Sequence, residues 1–226
     1  MSGSGMLDYL KALEANNNRD WYHAHRRERE EAVQDFEALI RQLSLRIAAF
    51  DGAIPLFEPR ELTFKLNRDT RFSRDKSPYN PAFRAHIAPQ GKLPIPVGYY
   101  LMIKPGDRSF LGGGLFADMF KEATDDVRAA IAANGAAWER ILADPVFAER
   151  FVVGGTALKN VPKGYDPAHP QAAYLKHKSW YLEYPIRDEQ LLEEAFPDFA
   201  AEIFRSMQPF NAFLNRALEG FRMPER

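Results

Sequence analysis

Apolar residues keep helical spacing at both ends of this chain and alternate in its middle, so the pattern divides the sequence into helical flanks around a small sheet. Leu7, Leu10 and Leu13 predict a short helix over 6–15, and Asn18 reads as the N-cap of a longer one reaching to about Phe50. Val33, Phe36, Leu39, Ile40, Leu43 and Ile47 form its buried stripe. Its other face, from His25 to Glu31, mixes charges of both signs at neighbour spacing and reads as solvated. Asp51-Gly52 ends this helix, and Pro55 and Pro59 keep it from resuming.

The period then changes to two. Leu62, Phe64 and Leu66 alternate with Thr63 and Lys65, and Phe83, Ala85 and Ile87 alternate with Arg84 and His86, so both segments predict half-buried strands. Residues 97–104 predict a third strand and 108–111 a fourth, joined by a turn at Pro105-Gly106-Asp107. Gly112-Gly113-Gly114 reads as a tight turn into an amphipathic helix over 118–133, with Phe120, Val127, Ala130 and Ile131 inward. Such a junction can also offer backbone N–H groups to an anion, but no Gly-Lys-Ser/Thr follows and it is not a Walker loop. Next come a short helix at 136–143, a Pro/Gly-punctuated loop over 152–170 and a strand over 178–184. Asp188 reads as the cap of a helix through Phe196, and a closing helix spans 198–221 with Pro209 as a kink site. The fold class is α+β, a mostly antiparallel sheet packed on long N- and C-terminal helices. It is expected as a single domain over 6–222, with residues 1–5 (MSGSG) set aside as a linker.

Composition agrees with one globular unit: 226 residues, 46% apolar and 13% aromatic, are enough to bury a core. There is no cysteine, which excludes disulfides, thiol nucleophiles and thiolate metal sites and suits a reducing cytoplasm. No run approaches a membrane span and the first residues lack the regions of a secretory signal, so the expected setting is cytoplasmic, without a membrane partner.

The net charge of −1 conceals a separation. Seven bases face three acids over 60–84, a local +4, and four lysines face one aspartate over 156–180, a local +3, leaving −8 on the rest. A local surplus in a near-neutral chain points to a discrete anion site more than to general coating of nucleic acid. Its centre is NRDTRFSRDKSPYN at 67–80, where Arg68 and Arg71 offer planar forks for phosphate, sulfate or carboxylate. Asp69 and Asp75 can aim those forks; Ser73, Ser77 and Tyr79 add neutral donors and Lys76 a further charge. The competing reading is a salt-bridge network that binds nothing. If the strands share a sheet, its polar face presents Lys65, Arg84, His86, Tyr100 and Lys104, either as a wet surface or as an open cleft beside the loop.

The segment FKLNRDTRFSRDKSPYNPAFRAHIAP resembles the central motif of domain-of-unknown-function family 2461. NNNRDWYHAHRREREEAV, GGGLF and LKNVPKGYDPAHP with the following LKHKSW resemble further segments of that family, so the likeness covers nearly the whole chain. It implies one shared fold and brings no established activity. It also pairs the arginine loop with the second basic stretch, which adds Lys163 and Lys178 to the candidate ligand-binding set.

No catalytic or metal signature accompanies these residues. His23 and His25 are two apart on a helix and point to different sides, and His86 and His169 lack metal-ligand spacing. Flanking cations hold Asp69 and Asp75 at low pKa, which makes them poor bases, and Ser73 and Ser77 have no adjacent histidine. No cofactor is implied. Two function classes stay open: a protein for a small phosphorylated or carboxylate ligand, and an interaction module whose basic face docks nucleic acid or an acidic protein. For the second, Phe72, Tyr79, Tyr165 and Trp180 are candidate stacking rings, with core packing the expectation for Phe72 and Trp180.

Overall fold

The computed structural model describes residues 3–116 and 118–224. The chain runs α1 (Gly3–Ala15), α2 (Arg19–Ala24), α3 (Arg26–Ala48), α4 (Pro59–Leu62), β1 (Phe83–Ile87), β2 (Tyr99–Ile103) and β3 (Ser109–Leu115). It continues through α5 (Lys121–Ala133), α6 (Gly135–Leu142), α7 (Pro145–Arg150), α8 (Ala172–Leu175), β4 (Trp180–Ile186), α9 (Asp188–Leu192) and α10 (Phe196–Ala217). Of the five residues read as a linker, Met1 and Ser2 lie outside the described residues, and Gly3, Ser4 and Gly5 belong to α1.

All four strands are antiparallel neighbours in the order β1-β2-β3-β4. Alternation sorts them into two faces. Ala85, Leu101, Leu111 and Leu182 lie on the inner one, which is buried and faces the long helices α3 and α10. Phe36, Leu39, Ile40, Leu43 and Ile47 supply the buried stripe of α3, and Ile203, Phe204, Met207, Phe210 and Leu214 that of α10.

Several local readings are corrected. The helix capped by Asn18, whose side chain accepts from Trp21 N at 2.9 Å, stops after one and a half turns at His25. His25 stacks on Trp21 at 4.1 Å with its Nδ1 2.9 Å from the Trp21 carbonyl, and Arg29 donates to the Tyr22 carbonyl at 2.8 Å. Carbonyls at the break are thus satisfied by side chains, which sequence periodicity does not report. Residues 62–66 form no strand. Pro59 starts a helical turn at the first position, where its missing N–H costs nothing, and Leu62 is buried at its end. Only isolated bridges follow, Thr63 to Ala85 and Asn67 to Tyr79, with Phe64 N donating to Arg84 O at 2.9 Å.

The glycine triplet is not a turn, because β3 runs through it. A side chain at Gly113 would come within 3.0 Å of Met207 Sδ, so its absence lets α10 approach the strand. Gly114 has φ +88°, and a Cβ there would meet the Trp180 carbonyl at 2.4 Å. Asn211 of α10 closes the joint, accepting from Gly114 N at 2.8 Å and donating to Gly98 O at 3.0 Å. α7 and α8 form on either side of the 152–170 loop, in stretches for which no element was expected, Arg187 rather than Asp188 is the N-cap of α9, and α10 starts at Phe196 and passes through Pro209.

Candidate functional site

The outer face of the sheet carries one residue from each strand in a transverse row: His86, Tyr100, Gly112 and Glu183. Glycine at the third place leaves that strand without a side chain between the phenol and the carboxylate. Rings fill the margins. Tyr100 lies 5.7 Å from Phe110, 5.9 Å from Phe116 and 6.4 Å from both Phe64 and His86, centroid to centroid. Phe116 in turn stacks on Tyr181 at 4.6 Å. Phe64, His86, Tyr100, Phe110, Phe116 and Glu183, together with Lys92, Leu93, Pro94 and Gly114, line an open cavity of about 740 Å³, within the usual range for a small-molecule site.

Polar groups enter this apolar space at few points. His86 is buried and hydrogen-bonded to the backbone of Lys92 and Leu93, so it braces the wall those residues form. Burial lowers its pKa to about 4, which leaves the ring neutral near pH 7. Burial also raises the Tyr100 phenol above its ordinary value, against the pull of the Arg84 charge, and raises the Glu183 carboxyl. Arg84 stands at the β1 edge. Its Nη2 donates to Lys65 O at 3.1 Å and its guanidinium lies 5.5 Å from the Phe64 ring, yet its Nε is buried without a hydrogen-bond partner. Among the described residues no carboxylate pairs with Arg84 or Lys92; Lys92 Nζ donates to Thr63 O at 3.3 Å.

The arginine loop is built differently. Its neck is closed by Arg68 N to Pro78 O at 2.9 Å and Asn80 N to Leu66 O at 2.7 Å. Asn17 clamps Tyr79 from outside, donating to its carbonyl at 2.9 Å and accepting its N–H at 3.1 Å, and Tyr22 stacks on the Tyr79 ring at 3.7 Å. Beyond the neck the charges satisfy one another. Arg68 pairs with Asp75 and reaches Ser73 Oγ at 3.4 Å; Arg71 pairs with Asp69 through Nε and Nη2; Asp75 accepts from Ser77 N at 2.9 Å. Hydrogen bonds hold both carboxyls below the ordinary aspartate range, from Arg71 to Asp69 and from Ser77 and Arg68 to Asp75. Lys76 donates to Thr70 O at 2.9 Å, while Arg74 has no partner among the described residues. Phe72, expected in the core, is 95% exposed at the tip, because the neck pairing carries the loop away from the sheet edge.

The second basic stretch lies elsewhere. Lys178 is 3.8 Å from Asp118 and Lys163 is exposed; among the described residues no hydrogen bond or ion pair joins either to the arginine loop. Of the candidate residues, then, Lys65 meets Arg84 beside the cavity, and Arg68, Asp69, Arg71, Ser73, Asp75, Lys76, Ser77 and Tyr79 form the hairpin. Trp180 is fully buried, as expected. His86 and His169 do not meet the loop aspartates, and among the described residues no three His, Asp or Glu side chains are grouped to hold a metal ion.

Sequence reasoning reached His86, Tyr100 and Arg84 as neighbours on one face, but missed Phe110, Phe116 and Glu183. The missing signal was the extent of β3: once its glycines are strand residues, alternation puts Phe110 and Gly112 on the face of Tyr100 and brings Glu183 into register. The molecule is thus defined as an α+β protein with an antiparallel sheet covered by helices on one face and bearing an aromatic cavity on the other. It belongs to the family described as "Conserved hypothetical protein (DUF2461)", whose profile matches residues 5–213. Neither a curated protein nor a solved structure gives a match to the chain. Among the described residues no helix is long and apolar enough to cross a membrane.

Proposed function

We propose that the protein binds a small anion with a flat apolar body, a ring-bearing carboxylate, in the cavity on the outer sheet face, with its acid group at Arg84. The observation that carries this reading is the Arg84 guanidinium behind the cavity wall, 5.5 Å from the lining ring of Phe64, with its Nε–H buried and without an acceptor among the described residues. A buried donor without a partner costs roughly 1–3 kcal/mol, and a ligand oxygen at this point would recover that cost on binding. A carboxylate fits better than a phosphate, because the lining is mostly apolar and holds one acid, Glu183, for its one lysine, Lys92. The rings that surround Tyr100 supply faces for a planar body, and Glu183 can accept from a hydroxyl or amine at the far end.

This reading keeps the small anionic ligand expected from the charge pattern and keeps Lys65 and Arg84, but centres the site on the sheet rather than on the arginine loop. Thermal unfolding in the presence of aromatic carboxylates, their neutral amides, aryl phosphates and inorganic phosphate tests it. An aromatic carboxylate at a hundred times its Kd is expected to stabilise the protein by about 2.7 kcal/mol, its amide to do far less, and Arg84→Gln to remove the difference. Equal stabilisation of wild type and Arg84→Gln, or a response to inorganic phosphate alone, would contradict the assignment.

A further inference from the structure

We infer that the tip of the arginine loop is a second, independent binding site, a stacking platform for single-stranded nucleic acid with Phe72 as its plate. Three features of the loop converge on this. First, Phe72 is 95% exposed, although the same chain buries Trp138 and Trp180 completely. Second, the ring is presented rather than merely loose. The neck beneath it is fixed by the two Asn17 hydrogen bonds, by Tyr22 stacked at 3.7 Å on a buried Tyr79, and by Arg29 placed 4.1 Å over Tyr22. Third, the charges around it leave a surplus. Asp75 and Asp69 are occupied by Arg68 and Arg71, so among the described residues Arg74 and Lys76 stand without carboxylates, an excess of two positive charges on the same loop.

The same observations choose among partners. An exposed ring with a neighbouring guanidinium offers flat faces to any base; Arg71, held to Asp69, has its Cζ 5.9 Å from the Phe72 ring centroid. Two cations without carboxylate partners among the described residues, on the loop that carries the plate, match one or two phosphates of a strand. A protein partner would need a wider apolar centre inside its polar rim, and insertion of one ring is a weak hold on a membrane. The tip supplies one ring only, with Thr70, Ser73 and charged residues around it. This inference does not rest on the cavity: Phe72 and Arg74 line no part of it.

Fluorescence anisotropy of a short labelled oligothymidylate with the full chain, repeated over a range of salt, tests the inference. Phe72→Ala is expected to weaken binding about tenfold, the loss of one stacked base, and Arg74→Ala to lower the salt slope by about 0.7, one phosphate contact on a single strand. Phe72→Trp should bind as well as wild type and show indole quenching on addition of the oligonucleotide. All three variants change exposed side chains, and their far-UV circular dichroism should match that of wild type. No detectable binding at low salt, binding that Phe72→Ala leaves unchanged, or capture by phosphatidylserine vesicles without oligonucleotide binding would each overturn it. An aromatic carboxylate that fills the cavity should not compete, which separates this result from failure of the cavity assignment.

Discussion

Arg84 is held on two sides and open on a third, and that asymmetry makes a prediction about stability as well as binding. Arg84→Met removes a buried Nε–H donor that has no partner among the described residues, at the expense of the hydrogen bonds to the carbonyl of exposed Lys65 and to the Tyr100 phenol. The unliganded variant is therefore expected to match wild type or exceed it by up to about 1 kcal/mol in chemical denaturation, while losing its response to aromatic acids. His86 makes a prediction about pH. Its folded pKa, about 4, lies below the ordinary 6.5, so the unfolded chain takes up a proton at higher pH than the folded one does. The stability due to the neutral ring is complete above about pH 6.5 and is lost as pH falls from there to about 4, amounting to roughly 3 kcal/mol. Denaturation curves collected between these limits should show a steeper decline in wild type than in His86→Gln; parallel declines would show that the ring is not buried neutral. At Gly114 the expectation is steric. Alanine would take φ +88° and drive its Cβ onto the Trp180 carbonyl, so Gly114→Ala should cost at least about 3 kcal/mol or prevent folding.

At the scale of elements, the joint between α10 and the sheet and the neck of the arginine loop have different consequences. Asn211→Leu strips a buried N–H at Gly114 and a buried carbonyl at Gly98 of their partners and should cost roughly 2–4 kcal/mol in equilibrium unfolding. Asn17→Ala opens the neck at buried Tyr79 and should cost roughly 1–3 kcal/mol, with faster amide exchange over 67–80. By contrast, Asp69→Ala and Arg71→Ala touch only exposed groups and should leave the unfolding midpoint within about 2 °C of wild type. A larger drop would make the tip part of the architecture. The helices were legible in the sequence wherever one face is buried: the stripe from Phe36 to Ile47 fixes α3 by periodicity alone. The sheet was legible at β1 and β2 for the same reason at period two. Periodicity failed where a residue's role depends on a distant partner. Glycines at 112–114 look like a turn until α10 and β4 are seen pressing on them, and Leu62, Phe64 and Leu66 alternate for three different reasons. Leu62 ends a capped helical turn, Phe64 walls the cavity, and Leu66 packs in the core near the loop neck. The cavity was half legible, since Glu183 joins it only through register.

For the whole molecule, the separation of charge takes on a spatial meaning. The surplus over 60–84 divides between a hairpin whose aspartates consume two of its arginines and a sheet edge where Arg84 keeps none. Counting charges along the chain cannot distinguish these, because a paired arginine and an unpaired one look alike in sequence. On the proposed reading the small-ligand site is the sheet cavity and Arg84 is its anion contact. Two-dimensional proton–nitrogen NMR of the arginine Nε–H groups tests this most directly, during titration with an aromatic carboxylate that stabilises the protein. The Arg84 Nε–H signal is expected to move and saturate with the ligand while those of Arg68 and Arg71 stay in place. Movement of Arg68 and Arg71 with Arg84 unchanged would contradict it and return the site to the loop.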